Sequence, residues 1–169
     1  MSPRPSSRPG SAAQRTDPEA ARAAAVSLLA RRDLASGELR ARLAARGFAP
    51  DAAQEAVQGL VREGVVNDER YARNYVAYHA RRGQGPVRIA LLLRGLGVDA
   101  ALTEAALADG PDWAALARQV RQGRFGARPP ADWREKARQG RFLQYRGFSS
   151  DHIRAATGAD PETGPEDLE

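Results

Sequence analysis

Cysteine is absent from the 169 residues, which excludes disulfides, iron–sulfur clusters and thiolate chemistry and agrees with a reducing compartment. Histidine occurs only as His79 and His152, too few and too far apart for a zinc site or a histidine-based triad. Each reads as a helix-surface or partly buried side chain. No stretch approaches the run of about eighteen apolar residues that a membrane span needs, and the N-terminus lacks the apolar segment of a secretory signal. The expectation is a cytoplasmic protein without membrane contact. Lysine is nearly missing too, since Lys136 is the one basic residue of 26 that is not arginine. A GC-rich coding bias accounts for so global an excess, yet arginine also brings a planar fork for phosphate and carboxylate that lysine lacks.

Strand signals are missing as well: no segment sustains a period of two with β-branched enrichment. Enzyme signatures fail in turn. The run "GQGP" (83 to 86) follows no strand and ends in proline, and no phosphate-loop lysine follows a glycine run. Asp68 and Glu69 are explained by the helix dipole, which favours acids in a first turn. The sequence therefore predicts a non-enzyme with no cofactor and no metal.

What is present is ordinary apolar content, 42% hydrophobic against 28% charged, and a lopsided charge. Residues 1–16 carry +3 and residues 158–169 carry −5, so a total of +5 leaves +7 on the stretch between them. That excess points to an anionic partner.

Also present is a repeat. Gly47, Gly97 and Gly147 are spaced by fifty residues, each preceded four positions earlier by leucine (Leu43, Leu93, Leu143) and followed by Phe48, Val98 or Phe148. Arg31-Arg32 and Arg81-Arg82 keep the same register. A period of this size marks tandem supersecondary units. The glycine fits the left-handed residue that closes a helix C-terminus, and the following apolar residue fits the contact that clamps the last turn.

The helix signals agree. Asp17-Pro18-Glu19 starts a first helix, expected to reach about Arg32 with Val26 and Leu29 inward. Ser36 is placed as cap of a second helix carrying Leu39 and Leu43. Pro50-Asp51 opens a third, with Val57, Leu60 and Val61 inward. In the next unit Asn67-Asp68-Glu69 starts a helix with Tyr71, Tyr75 and Val76. Pro86 opens one with Ile89, Leu92 and Leu93, and Asp99 caps one with Leu102 and Leu107. The last unit is looser: Trp113, Leu116 and Val120 mark its first helix, Trp133 to Tyr145 its second, and Ser149 caps a short third containing Ile153. Thr157 there takes the place of Val57 and Leu107 and predicts weaker packing. The expectation is an all-α fold of three tandem three-helix repeats, resembling helix-turn-helix units, in an elongated, curved array. Its limits are a disordered basic tail over 1–16, repeats over 17–64, 65–109 and 110–158, and an acidic disordered tail over 159–169.

Arginines recur on the second helix of every unit: Arg40, Arg42 and Arg46, then Arg88 and Arg94, then Arg134, Arg138, Arg141 and Arg146 beside Lys136. With Arg73, Arg81 and Arg82 they suggest a basic stripe, although solvated helix faces also take arginine readily. The residues selected for contact with an anionic partner are Arg40, Arg81, Arg82, Arg88, Arg138 and Arg141, with Gly47, Gly97 and Gly147 as structural caps.

The segment "NDERYARNYVAYHARRGQGPVRIALLLRGLGV" (67 to 98) resembles the central signature of the RecX family, bacterial regulators of the RecA recombinase. "SGELRARLAARGF" (36 to 48) and "ARQGRFLQYRGFS" (137 to 149) are similar to its flanking units, so the resemblance covers roughly residues 18–158. It implies a monomer that lies in the groove of the RecA filament on single-stranded DNA and suppresses ATP hydrolysis, strand exchange and the coprotease activity behind the SOS response. Weakly bound DNA, single-stranded first and double-stranded second, is the nucleic-acid partner it implies. The alternative reading of the same arginines is a protein that binds DNA directly through helix-turn-helix repeats.

Overall fold

A computed structural model describes residues 15–158; of the tails expected over 1–16 and 159–169, residues 1–14 and 159–169 lie outside the described residues. Nine helices run through the described residues: α1 (Pro18–Leu29), α2 (Ser36–Ala45), α3 (Pro50–Arg62), α4 (Asp68–Arg81), α5 (Pro86–Gly95), α6 (Ala100–Ala108), α7 (Trp113–Phe125), α8 (Trp133–Tyr145) and α9 (Ser150–Thr157). Among the described residues there is no strand, only an isolated bridge between Arg15 and Phe48. The chain divides after Asn67 into two compact units, α1–α3 and α4–α9.

The three-fold glycine signal is three copies of one helix stop. Gly47, Gly97 and Gly147 have φ of 82°, 76° and 90°. In each turn the amide after glycine donates to the leucine carbonyl five residues back: Phe48 to Leu43 (3.2 Å), Val98 to Leu93 (3.1 Å), Phe148 to Leu143 (3.1 Å). All six of these side chains are buried, so the hydrogen bond and the apolar clamp form together.

The first unit is closed by small residues. Val26, expected inside, is 47% exposed and Leu29 is only partly buried, while Ala21, Ala25 and Leu28 face the core. Alanines at positions four apart let α1 approach α3, which answers with Ala52, Ala53 and Ala56. A bulkier β-branched residue in that seam would hold the helices apart. Val61 is likewise outside, at 46% exposure. Asp17 caps α1 by accepting from the Glu19 amide at 3.0 Å, and α1 stops at Leu29 rather than at Arg32. Ser36 is not the cap of α2: Ala35 holds that place, and Ser36 is buried in the first turn. Arg15, assigned to the tail, is held on the Gly47 turn. Its amide donates to the Gly47 carbonyl (2.8 Å), its carbonyl accepts from the Ala49 amide (2.9 Å), and its guanidinium lies 4.1 Å from the Phe48 ring centre.

In the second unit α4–α6 and α7–α9 form one compact body. Thr103 and Ala106 are the buried residues of α6, with Leu102 and Leu107 only partly covered. Thr157 is buried without cost to its hydroxyl, which donates to the Ile153 carbonyl at 2.9 Å. The run "GQGP" is the joint between the two helix trios. The Gly85 amide donates to the Arg146 carbonyl (2.8 Å) and the Val87 amide to the Gly147 carbonyl (3.0 Å). Side chains would not fit: a Cβ on Gly85 would lie 2.3 Å from the Gly147 oxygen, and one on Gly147 would lie 2.2 Å from the Arg88 Cβ.

Candidate functional site

The backbone joint at Gly85 and Gly147 brings the start of α5 against the end of α8 and so gathers basic side chains from three helices. Arg88 (α5), Arg124 (α7) and Arg146 border one hollow with Gln84, Phe142 and Tyr145, and no carboxylate lines it. Arg88 donates to the Tyr145 carbonyl at 3.4 Å and lies 5.8 Å from the Tyr145 ring centre. Its Nε is buried without a hydrogen-bond partner. Arg146 reaches the Arg82 carbonyl at 3.2 Å.

Beside the hollow, Phe125 and Phe142 meet edge to face with centroids 5.3 Å apart. Guanidiniums cover both rings: Arg138 at 5.3 Å and Arg124 at 6.0 Å from Phe125, and Arg146 at 5.4 Å from Phe142. Such stacking orients a guanidinium, and Arg138 is further held by an ion pair with Glu135 at 3.7 Å. Along α8, Arg134, Arg138, Arg141 and Tyr145 are all exposed at spacings of four, three and four, hence on one face. Tyr145 is 77% exposed.

Five of the six selected arginines lie in the second unit and Arg40 in the first. Arg88, Arg138 and Arg141 belong to this second unit beside the hollow or on the exposed face of α8. Arg81 and Arg82 are neighbours in sequence but diverge. Arg82 stacks on Tyr78 at 5.5 Å, whereas Arg81 borders a different cleft with Val76, Ala80, Ala106 and Leu116. Arg40 is in the first unit, half-buried beside Ala44 and Pro50. Gly47, Gly97 and Gly147 each follow a helix with positive φ.

Sequence reasoning did not select Arg124, Arg146 or Tyr145. The helical spacing from Arg134 to Tyr145 was a readable signal for the last, but convergence of Arg124 on Arg88 depends on the glycine joint. Nor did it set apart Arg121, which is only 4% exposed. Its guanidinium donates to the carbonyls of Arg128 (3.0 Å) and Ala127 (3.4 Å) and to Gln139 Oε1 (3.3 Å), fastening the connection from α7 to α8. This is a structural arginine. Among the described residues no three histidine, aspartate or glutamate side chains cluster to hold a metal, and no helix is long and apolar enough to cross a membrane.

Family models described as the first, second and third three-helix domains of RecX match residues 21–60, 67–107 and 112–157, in that order. The chain belongs to the RecX family. Among its relatives, the "Regulatory protein RecX" of Halorhodospira halophila is 47% identical over 151 residues, covering 87% of this chain and 94% of that protein. That of Pseudomonas fluorescens Pf-5 is 45% identical, covering 79% and 87%. The crystal structure of RecX from Lactobacillus salivarius shares the fold, with a TM-score of 0.72 at 23% identity over 83% of this chain and 94% of that one. The basic hollow thus lies where the second and third RecX domains join.

Proposed function

We propose that this chain is a regulator, mainly an inhibitor, of the RecA recombinase, acting as a cytoplasmic monomer on the filament that RecA forms on single-stranded DNA. The observation that carries the reading is the collinear match of all three domains to a family whose members bear the name regulatory protein. A face rich in arginine and poor in acid supports it, because a filament wrapped on DNA offers phosphates in a groove. No catalytic constellation is invoked. The protein would bias the filament by binding an inactive or disassembling arrangement more tightly than the active one, since a ligand shifts an equilibrium only by its differential affinity. Suppression of ATP hydrolysis, strand exchange and the SOS coprotease would follow from that single bias.

The test is steady-state ATP hydrolysis by the cognate recombinase on single-stranded DNA at physiological salt, titrated with this chain. Inhibition well below the concentration that coats bare DNA is expected. Loss of hydrolysis only at saturation of the DNA would mean competition for the strand. Direct DNA binding, which the exposed ring of Tyr145 favours, would then take first place.

A further inference from the structure

The second unit carries a combination that a general anion-binding surface does not need. Three guanidiniums, from α5, α7 and the residue that caps α8, border one hollow without a carboxylate among the lining residues, and a tyrosine that is 77% exposed stands at its edge. Exposed aromatics at helix ends are normally turned against a neighbour, because burying a ring of that size is favourable. Tyr145 instead keeps company with a guanidinium, Arg88 at 5.8 Å from its ring centre. A carboxylate ligand would be served by the arginines alone; the ring adds a surface for a flat, unpaired aromatic partner.

We infer that this hollow is a one-nucleotide site for single-stranded nucleic acid, with a backbone phosphate among Arg88, Arg124 and Arg146 and the adjoining base stacked on Tyr145. Arginine forks match phosphate oxygens bidentately. Arg88 has terminal donors to spare, since its guanidinium makes one hydrogen bond, to the Tyr145 carbonyl at 3.4 Å. The stacking face selects a single strand, because bases in a duplex are covered above and below. Arg134, Arg138 and Arg141 continue from Tyr145 along the exposed face of α8 and give the next phosphates a track. The site deepens the proposed role on a DNA filament and rests on it only for the source of the strand. Its test contains no recombinase, so failure here is separable from failure to inhibit ATP hydrolysis.

The experiment uses the full chain and fluorescence anisotropy with a labelled oligothymidylate, and with an abasic strand of equal length and phosphate count. The wild-type protein is expected to prefer the base-bearing strand by roughly five-fold to a hundred-fold, the range of one base–aromatic stack. Tyr145→Ala should bind both strands as the wild type binds the abasic one, and Tyr145→Phe should keep the preference. Arg124→Ala should weaken both strands alike and lower the salt slope by about one phosphate. Far-UV circular dichroism confirms that each variant keeps its helices; the comparison of two strands on the unaltered protein needs no variant. Equal affinity of the wild type for the two strands overturns the proposal. So does a preference that survives Tyr145→Ala, tighter binding of a duplex of the same sequence, stronger competition by polyglutamate than by unlabelled strand, or no binding to either strand.

Discussion

Gly47 and Gly147 fill the same place in the same turn, yet they carry different constraints. Around Gly47 a Cβ would meet nothing within 4 Å, so Gly47→Ala pays only for a left-handed backbone. That strain is about 1–2 kcal/mol. At Gly147 the backbone is equally left-handed, and a Cβ would also strike Arg88. Gly147→Ala should therefore lower the thermal midpoint at least twice as far as Gly47→Ala; equal shifts would show that the joint yields to a side chain. Gly85 separates the two causes, since its φ of −85° suits any residue and only space forbids alanine there. Gly85→Ala should destabilise nonetheless. The turn at Gly147 was readable in the sequence because its signal is local, a leucine, a glycine and a large apolar residue within six positions. The demand on Gly85 was not, because it is imposed by a carbonyl from a distant helix end.

Helix faces tell a similar story of partial legibility. The inward leucines of α2, α5 and α8 were evident from their spacing, whereas the inner face of α1 was assigned to Val26 and Leu29 on hydrophobicity alone. What decides that face is the closeness of α1 to α3, a distance that single-chain periodicity does not encode. Ala25→Leu should cost about 1–3 kcal/mol by overpacking, while Val26→Ser should stay within about 0.5 kcal/mol, as surface changes usually do; urea unfolding of both variants checks the ordering. The same limit applied to the basic residues. Arg81 and Arg82 looked like a pair in sequence, but a step of one residue on a helix turns by about 100°, and they serve different surroundings. If Arg82 and the α8 stripe meet the filament together, Arg82→Glu should weaken filament binding more than Arg81→Glu does. Equal losses in a co-sedimentation assay would place both on the contact.

At the level of the folded chain, the joint at Gly85 makes the stability of α4–α6 depend on α7–α9. Leu143 is fully buried, and Leu143→Ala should cost about 2–5 kcal/mol. The amides of Gly85 and Val87, whose acceptors lie just beyond α8, should then exchange hydrogen faster, whereas those of α2 in the other compact unit should keep their protection. Uniform acceleration along the chain would show one cooperative body instead of two.

That joint also limits how such a chain can be rebuilt. A tandem array invites the view that each trio of helices is a cassette to be duplicated, deleted or exchanged between relatives. Here the contact is backbone on backbone, and the two glycines that permit it sit in different cassettes. A chimera whose crossover falls between positions 86 and 146 inherits one glycine from each parent, and it assembles only if both parents kept theirs. A fourth trio copied from the third would find at its own Gly147 turn no tight glycine loop to receive it. The pairing of these two trios is thus written into two positions that carry no side chain.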